Sequence, residues 1–124
     1  MHRSYLDFIG WQKAMQLSVQ VYELTRGFPR EELYGMTSQL RRASISIVSN
    51  IAEGHGRGTR PQLAHFLSIA RGSAFEVEAQ LLLCGQVGLG ERACLGRCES
   101  LCDEVSRILA SAIRGLNEPG AESL

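Results

Sequence analysis

Apolar residues recur three and four positions apart along most of the chain, and strict two-residue alternation is nearly absent, so the pattern predicts helices and no strands. A first helix is expected from a cap at Asp7 to about Thr25. Ala14, Leu17, Val21 and Leu24 form its inner line, Phe8, Trp11, Met15 and Tyr22 broaden the apolar face, and Gly27, Phe28 and Pro29 stop it. A second helix begins in the Glu31 to Gly35 region and continues to about Glu53, where Gly54, Gly56 and Gly58 end it. Thr59 opens the third, three residues before Gln62 in a capping-box arrangement, with Pro61 in the first turn where a missing N–H does no harm. That helix runs to about Gln86, Gly88 and Gly90 interrupt it, and a fourth covers roughly Glu91 to Leu116. Long helices joined by short loops fold back on one another. The chain is therefore expected to be all-α, an antiparallel up-down-up-down four-helix bundle in a single domain over residues 1–117, with a flexible tail at 118–124.

The apolar positions exceed what one bundle buries. On the second helix Leu40, Ala43, Ser44, Ile47 and Ile51 form one stripe, and Ile45, Val48 and Ala52 form another roughly 80° to 140° away, giving an apolar arc about 200° wide. Arg42, Ser46, Ser49 and Glu53 take the polar remainder, but Arg41 falls inside the arc. On the third helix Leu63, Phe66, Leu67, Ala70, Ala74, Val77, Leu81 and Cys84 make the core stripe, while Ile69, Phe75, Leu82 and Leu83 point elsewhere. Gly72 and Ala79 lie between these, small enough to admit a neighbouring helix. A helix apolar nearly all round is buried on both sides, and 124 residues offer little to bury it, so a homo-oligomer is expected. Arg41, Ile45, Val48, Gly72, Phe75 and Ala79 are the expected structural or interface positions. Arg41 cannot escape burial by deprotonation. It needs a partner, expected to be Glu76 or Glu78 on the third helix.

Composition excludes more than it selects. With 44% hydrophobic and 21% charged residues the chain is neither disordered nor strongly polar. No run approaches the roughly 18 apolar residues of a membrane span, and MHRSYLDF lacks the apolar core of a secretory signal, so a cytoplasmic protein without membrane contact is expected. Thirteen basic residues balance thirteen acidic ones, which removes a bulk field for nucleic acid or anionic lipid. The distribution is uneven: residues 38–75 hold five arginines against Glu53 alone, and residues 76–124 hold four arginines against eight acids. The basic middle would attract phosphate if exposed, and an acidic fourth helix packed alongside would neutralise it.

Cys94, Cys98 and Cys102 recur every four residues and continue into Val105, Leu109 and Ala112, which reads as a core seam. No histidine lies near them or Cys84 to complete a zinc site, and free cysteine is a small buried hydrophobe. His2, His55 and His65 are scattered, no serine sits in a nucleophile motif, and Glu53, Glu76 and Glu78 lack the Glu-x-x-His of carboxylate-bridged metal bundles. No enzyme, cofactor, metal or small-molecule substrate is expected. The Gly54-His55-Gly56-Arg57-Gly58 loop with Arg60 reads as an interhelical turn, or as a cradle for a nucleic-acid phosphate.

The segments DFIGWQKAMQL (7–17), Phe28-Pro29, YGMTSQLRRASISIVSNIAEGHGR (34–57) and HFLSIARGSAFEVEAQLLL (65–83) resemble the 23S rRNA intervening-sequence proteins, a four-helix-bundle family related to the accessory variability determinant of diversity-generating retroelements. The resemblance implies a bundle that assembles as a ring-like homopentamer without catalytic residues. For the retroelement relatives it implies nucleic-acid binding through a strongly basic surface. The chain departs from the pattern in two ways: Val48 stands where the family commonly has proline, which implies a less kinked second helix, and the pI near 6.8 is far from the strongly basic retroelement branch. The expected function is a non-enzymatic oligomeric scaffold with RNA or DNA, or a ribonucleoprotein, as partner through Arg42, Arg57 and Arg60, and more weakly Lys13 and Arg71. The alternative is a protein-interaction module or structural assembly whose arginines pair with Glu99, Asp103 or Glu104 of its own fourth helix.

Overall fold

The computed structural model describes residues 4–118, and every regular element among them is helical. Four α-helices carry the fold: α1 (Ile9–Arg26), α2 (Ser38–Gly56), α3 (Arg60–Val87) and α4 (Arg92–Asn117). Each packs on its neighbours in sequence and α4 returns to α1, so α1 lies diagonal to α3 and α2 diagonal to α4. This is the four-helix bundle that the spacing predicts. Its single core takes the inner line of α1 and the Leu40–Ile51 stripe of α2 together with Leu67, Val77, Leu81 and Leu109, all essentially inaccessible to water. Each leucine, isoleucine or valine among them contributes about 1.5–3 kcal/mol by leaving water.

The helix ends show where local signals compete with packing. Asp7 does not cap α1; it closes a short 3-10 turn, Tyr5–Asp7, that is capped by Ser4. The residue preceding α1 is Phe8, extended and without a side-chain cap, and its ring lies 5.5 Å from that of the buried His55. Anchoring that ring in the end of the bundle sets the start of α1 past the available carboxylate. α2 is entered through a 3-10 turn (Arg30–Glu32) and a π-helical turn (Leu33–Thr37) in which Gly35 leaves helical geometry at φ −110°, ψ −114°. α2 then runs unbroken through Val48 and past the expected end to Gly56. Gly54 serves packing there, since a Cβ would sit 2.9 Å from Phe66 Cβ on α3.

The remaining boundaries follow the expected chemistry. Thr59 Oγ1 accepts the Gln62 N–H at 3.3 Å with the proline in the first turn, and α3 closes on Gly88 in the left-handed region at φ 77°. The Glu91 carboxylate caps α4 by accepting the N–H groups of Ala93 and Cys94, both at 3.0 Å, and those bonds hold its pKa below the ordinary value. Gly90 in the connecting turn is left-handed, at φ 89°, and a Cβ there would lie 2.5 Å from Leu24 Cδ1. Gly90→Ala is therefore expected to cost about 2–4 kcal/mol, backbone strain plus overpacking, read from the urea midpoint. The expected tail lies outside the described residues except for Glu118.

All four cysteines are buried, and the Cys102 thiol donates to the Ala74 carbonyl at 3.2 Å, so the cysteine stripe belongs to the core. Among the described residues no group of three or more His, Cys, Asp or Glu side chains is arranged to hold a metal, and no helix is long and apolar enough to cross a membrane.

Candidate functional site

The five basic residues expected to meet an outside partner do not converge on one surface. Lys13 on α1 pairs with Glu104 on α4 at 3.4 Å. Arg57 pairs with Glu53, one helical turn earlier, at 2.6 Å, and its guanidinium lies 5.0 Å from the centre of the Phe66 ring. Arg60 donates to the carbonyls of Leu116 at 2.9 Å and Glu118 at 3.3 Å, so it satisfies the open C-terminal end of α4. Arg71 lies over Phe75, with its buried Nε unpartnered. Arg42 differs from these four, because it is exposed and makes no hydrogen bond or ion pair among the described residues.

The contact of Arg60 is a test of role. Arg60→Ala removes charge-assisted bonds to orphan carbonyls, and an expected loss of about 1–2 kcal/mol in thermal unfolding would mark it as a tie between α3 and α4. An unchanged melting temperature would return it to the set of surface cations.

Arg41 has a different partner from the one expected. Its Nε donates to Thr25 Oγ1 at 2.9 Å and its guanidinium lies 4.5 Å from the centre of the Tyr22 ring, both on α1, and Glu76 and Glu78 on α3 play no part. Thr25 passes its own proton to the Val21 carbonyl at 2.8 Å, which leaves its oxygen free to accept. An aromatic face and a hydroxyl replace the carboxylate. The expected pairing of middle arginines with Glu99, Asp103 or Glu104 is not made either. Arg107, on α4 itself, pairs with Asp103 at 3.0 Å, and α2, which carries Arg42 and Arg57, lies diagonal to α4.

The larger surface feature is apolar and double. On the outside of α3, Ile69, Phe75, Leu82, Leu83 and Val87 are 39–60% exposed, with the small Gly72 and Ala79 also exposed among them. On the opposite side of the molecule Met15 and Val19 of α1 stand beside Ile45 of α2, at 40%, 53% and 42% exposure, and Val48 is half-buried next to them. With Tyr22 these residues line a groove of about 330 Å³ between α1 and α2, edged by Glu23 and Arg26. Val48 is therefore only partly an outer residue, packed in part against the core. The outward face of α1 was not expected from sequence, although Val19 sits half a turn from the core line and carries the signal.

Tyr34 was also missed. It is 92% exposed, in the turn before α2, and lines a second groove of about 500 Å³ with Leu33, Thr37, Ser38, Arg41 and Arg42.

A family model described as 23S rRNA-intervening sequence protein matches residues 6–111. No curated protein matches the chain. Among solved structures, the chain is similar to a protein of unknown function from the S23 ribosomal protein family of Bacteroides thetaiotaomicron VPI-5482, with a TM-score of 0.77 and 24% identity, over 85% of this chain and 98% of that one. That likeness carries the fold, and the family match spans most of the bundle. The chain belongs to the 23S rRNA-intervening sequence protein family.

Proposed function

We propose that the protein is a non-enzymatic scaffold that assembles from copies of itself into a closed ring of five, the number the sequence resemblance implies. The observation that carries this reading is the pair of exposed apolar faces on diagonally opposite helices, α1 with the edge of α2 on one side and α3 on the other. Two different faces on opposite sides join head to tail, and a head-to-tail contact closes as a ring when the rotation per copy allows. A monomer that left both of these apolar faces in water would be prone to non-specific association. Native mass spectrometry is expected to give five times 13.6 kDa, about 68 kDa. A monomer mass at micromolar concentration would overturn the assembly.

A second reading, a nucleic-acid or ribonucleoprotein partner for the assembled scaffold, has one specific observation in its favour: Arg42 is exposed and unpaired among the described residues. Filter binding of RNA and DNA at low salt tests it, and no retention of either would remove it.

A further inference from the structure

We propose that the groove at the entry to α2 binds one nucleotide unit of a single strand, with the Tyr34 ring stacked on the base and Arg42 holding its phosphate. This rests on the nucleic-acid reading of Arg42, and the groove shares Ile45 with the apolar face between α1 and α2.

Tyr34 is the starting point, because nothing in the fold uses its ring. At 92% exposure it has almost none of the burial that normally repays an aromatic side chain. Its backbone is nonetheless built. The π-helical turn and the departure of Gly35 from helical geometry set Tyr34 ahead of α2, and the Glu32 carboxylate holds the turn by accepting the Met36 N–H at 3.2 Å. Glu32 is thereby engaged away from the groove, whose lining contains two guanidiniums, two hydroxyl groups and the phenol but no carboxylate. The positive charge there is not cancelled from within.

The two arginines have different tasks. Arg41 is fixed by Thr25 and Tyr22, so its charge is a stationary part of the wall. Arg42 is free to close on a phosphate with a bidentate contact. At about 500 Å³ the groove lies within the range of small-ligand sites, and a planar ring joined to an anion matches what it offers. A duplex keeps its bases stacked and cannot present one to Tyr34, whereas a single strand can. Leu33, Tyr34 and Ile45 make much of the groove's open surface apolar, so what favours a nucleotide over a second copy of the chain is the pair of guanidiniums with no carboxylate in the lining.

The test is fluorescence anisotropy at low salt with a labelled short oligouridylate. Arms use the same length of duplex RNA, uridine monophosphate and inorganic phosphate. The single strand is expected to bind more tightly than the duplex. Tyr34→Ala should weaken it by about tenfold or more, and Tyr34→Phe should retain the affinity. Arg42→Ala should weaken binding and reduce the salt slope by about 0.7. Both side chains are exposed, so the variants keep the fold. Monophosphate binding with the same mutational pattern supports the site with a free nucleotide as its source. Strand binding indifferent to both variants would overturn the groove and leave the nucleic-acid reading standing; no binding of any probe would overturn both. An unchanged affinity in Tyr34→Ala with full competition by inorganic phosphate would reduce the groove to a plain anion site. A fall in oligomer mass on Tyr34→Ala would make it a subunit contact, which also overturns the proposal.

Discussion

Val19→Asp and Leu83→Asp are each expected to abolish extended assembly, and a mixture of the two variants is expected to form a heterodimer and nothing larger. Val19 lies in the apolar face of α1 and Leu83 in that of α3, on opposite sides of the bundle. If α1 of one copy meets α3 of the next, each variant retains one intact face. The Val19→Asp chain still offers α3, and the Leu83→Asp chain still offers α1, so one productive contact forms between them and both outer ends are blocked. An unpaired carboxylate forced into an apolar contact costs several kcal/mol, and every 1.4 kcal/mol is a factor of ten in affinity. The loss is expected to exceed a hundredfold. Both positions are about half exposed in the single chain, so far-UV circular dichroism should be unchanged. Sedimentation velocity reads the outcome directly. Assembly of Leu83→Asp alone at the native mass would show that α3 is not part of the contact. Failure of the mixture would exclude head-to-tail pairing of these faces.

Raising the pH above 9 is expected to unfold the protein more steeply than its surface charges require, because three core thiols resist ionisation. Burial pushes the Cys84 thiol up to about 11 and those of Cys98 and Cys102 up to about 12, from an ordinary value of 9.0. A pKa raised in the fold gives stability that is fully present below the unfolded value and lost as pH climbs toward the folded one. Between pH 9 and 11 the unfolded chain releases these protons while the native core retains them. Each thiol then contributes a loss of about 1.4 kcal/mol per pH unit, and the three together about 4 kcal/mol per unit. The loss levels off at about 11 kcal/mol for the three thiols, so a total stability in the lower part of the usual range of about 5–15 kcal/mol is exhausted above about pH 10. Urea unfolding at a series of pH values measures this slope. In Cys98→Ala the slope should fall by about one third, and an equally steep limb in that variant would exclude the thiols as the cause.

Much of the fold was legible because helical periodicity and end signals are local. Thr59 with Gln62, the break at Gly88 and the cysteine stripe depend on residues within one or two turns, and each is found where the spacing puts it. Asp7 was misleading because a long-range contact, Phe8 against His55, overrode a good local cap. Tyr34 could not be read as an exposed ring, since a tyrosine beside an apolar run looks like core until the turn at Gly35 is known.

The candidate site divides along the same line. The 100° advance per residue places Arg41 off the polar face and Ile45 beyond the core stripe, and that angle is a property of the chain alone. Which helix stands at that angle is not, because it depends on the hand in which four helices close their square. Here α1, not α3, lies beside Arg41, so Thr25 and Tyr22 hold its charge. The same arrangement separates α2 from the acids of α4 and leaves Arg42 unpaired among the described residues. Local spacing determined the helices, the core seam and the surplus of apolar surface. The packing of distant segments, which a one-dimensional pattern does not encode, determined that Arg41 and Arg60 are tied within the bundle while Arg42 is left unpaired among the described residues.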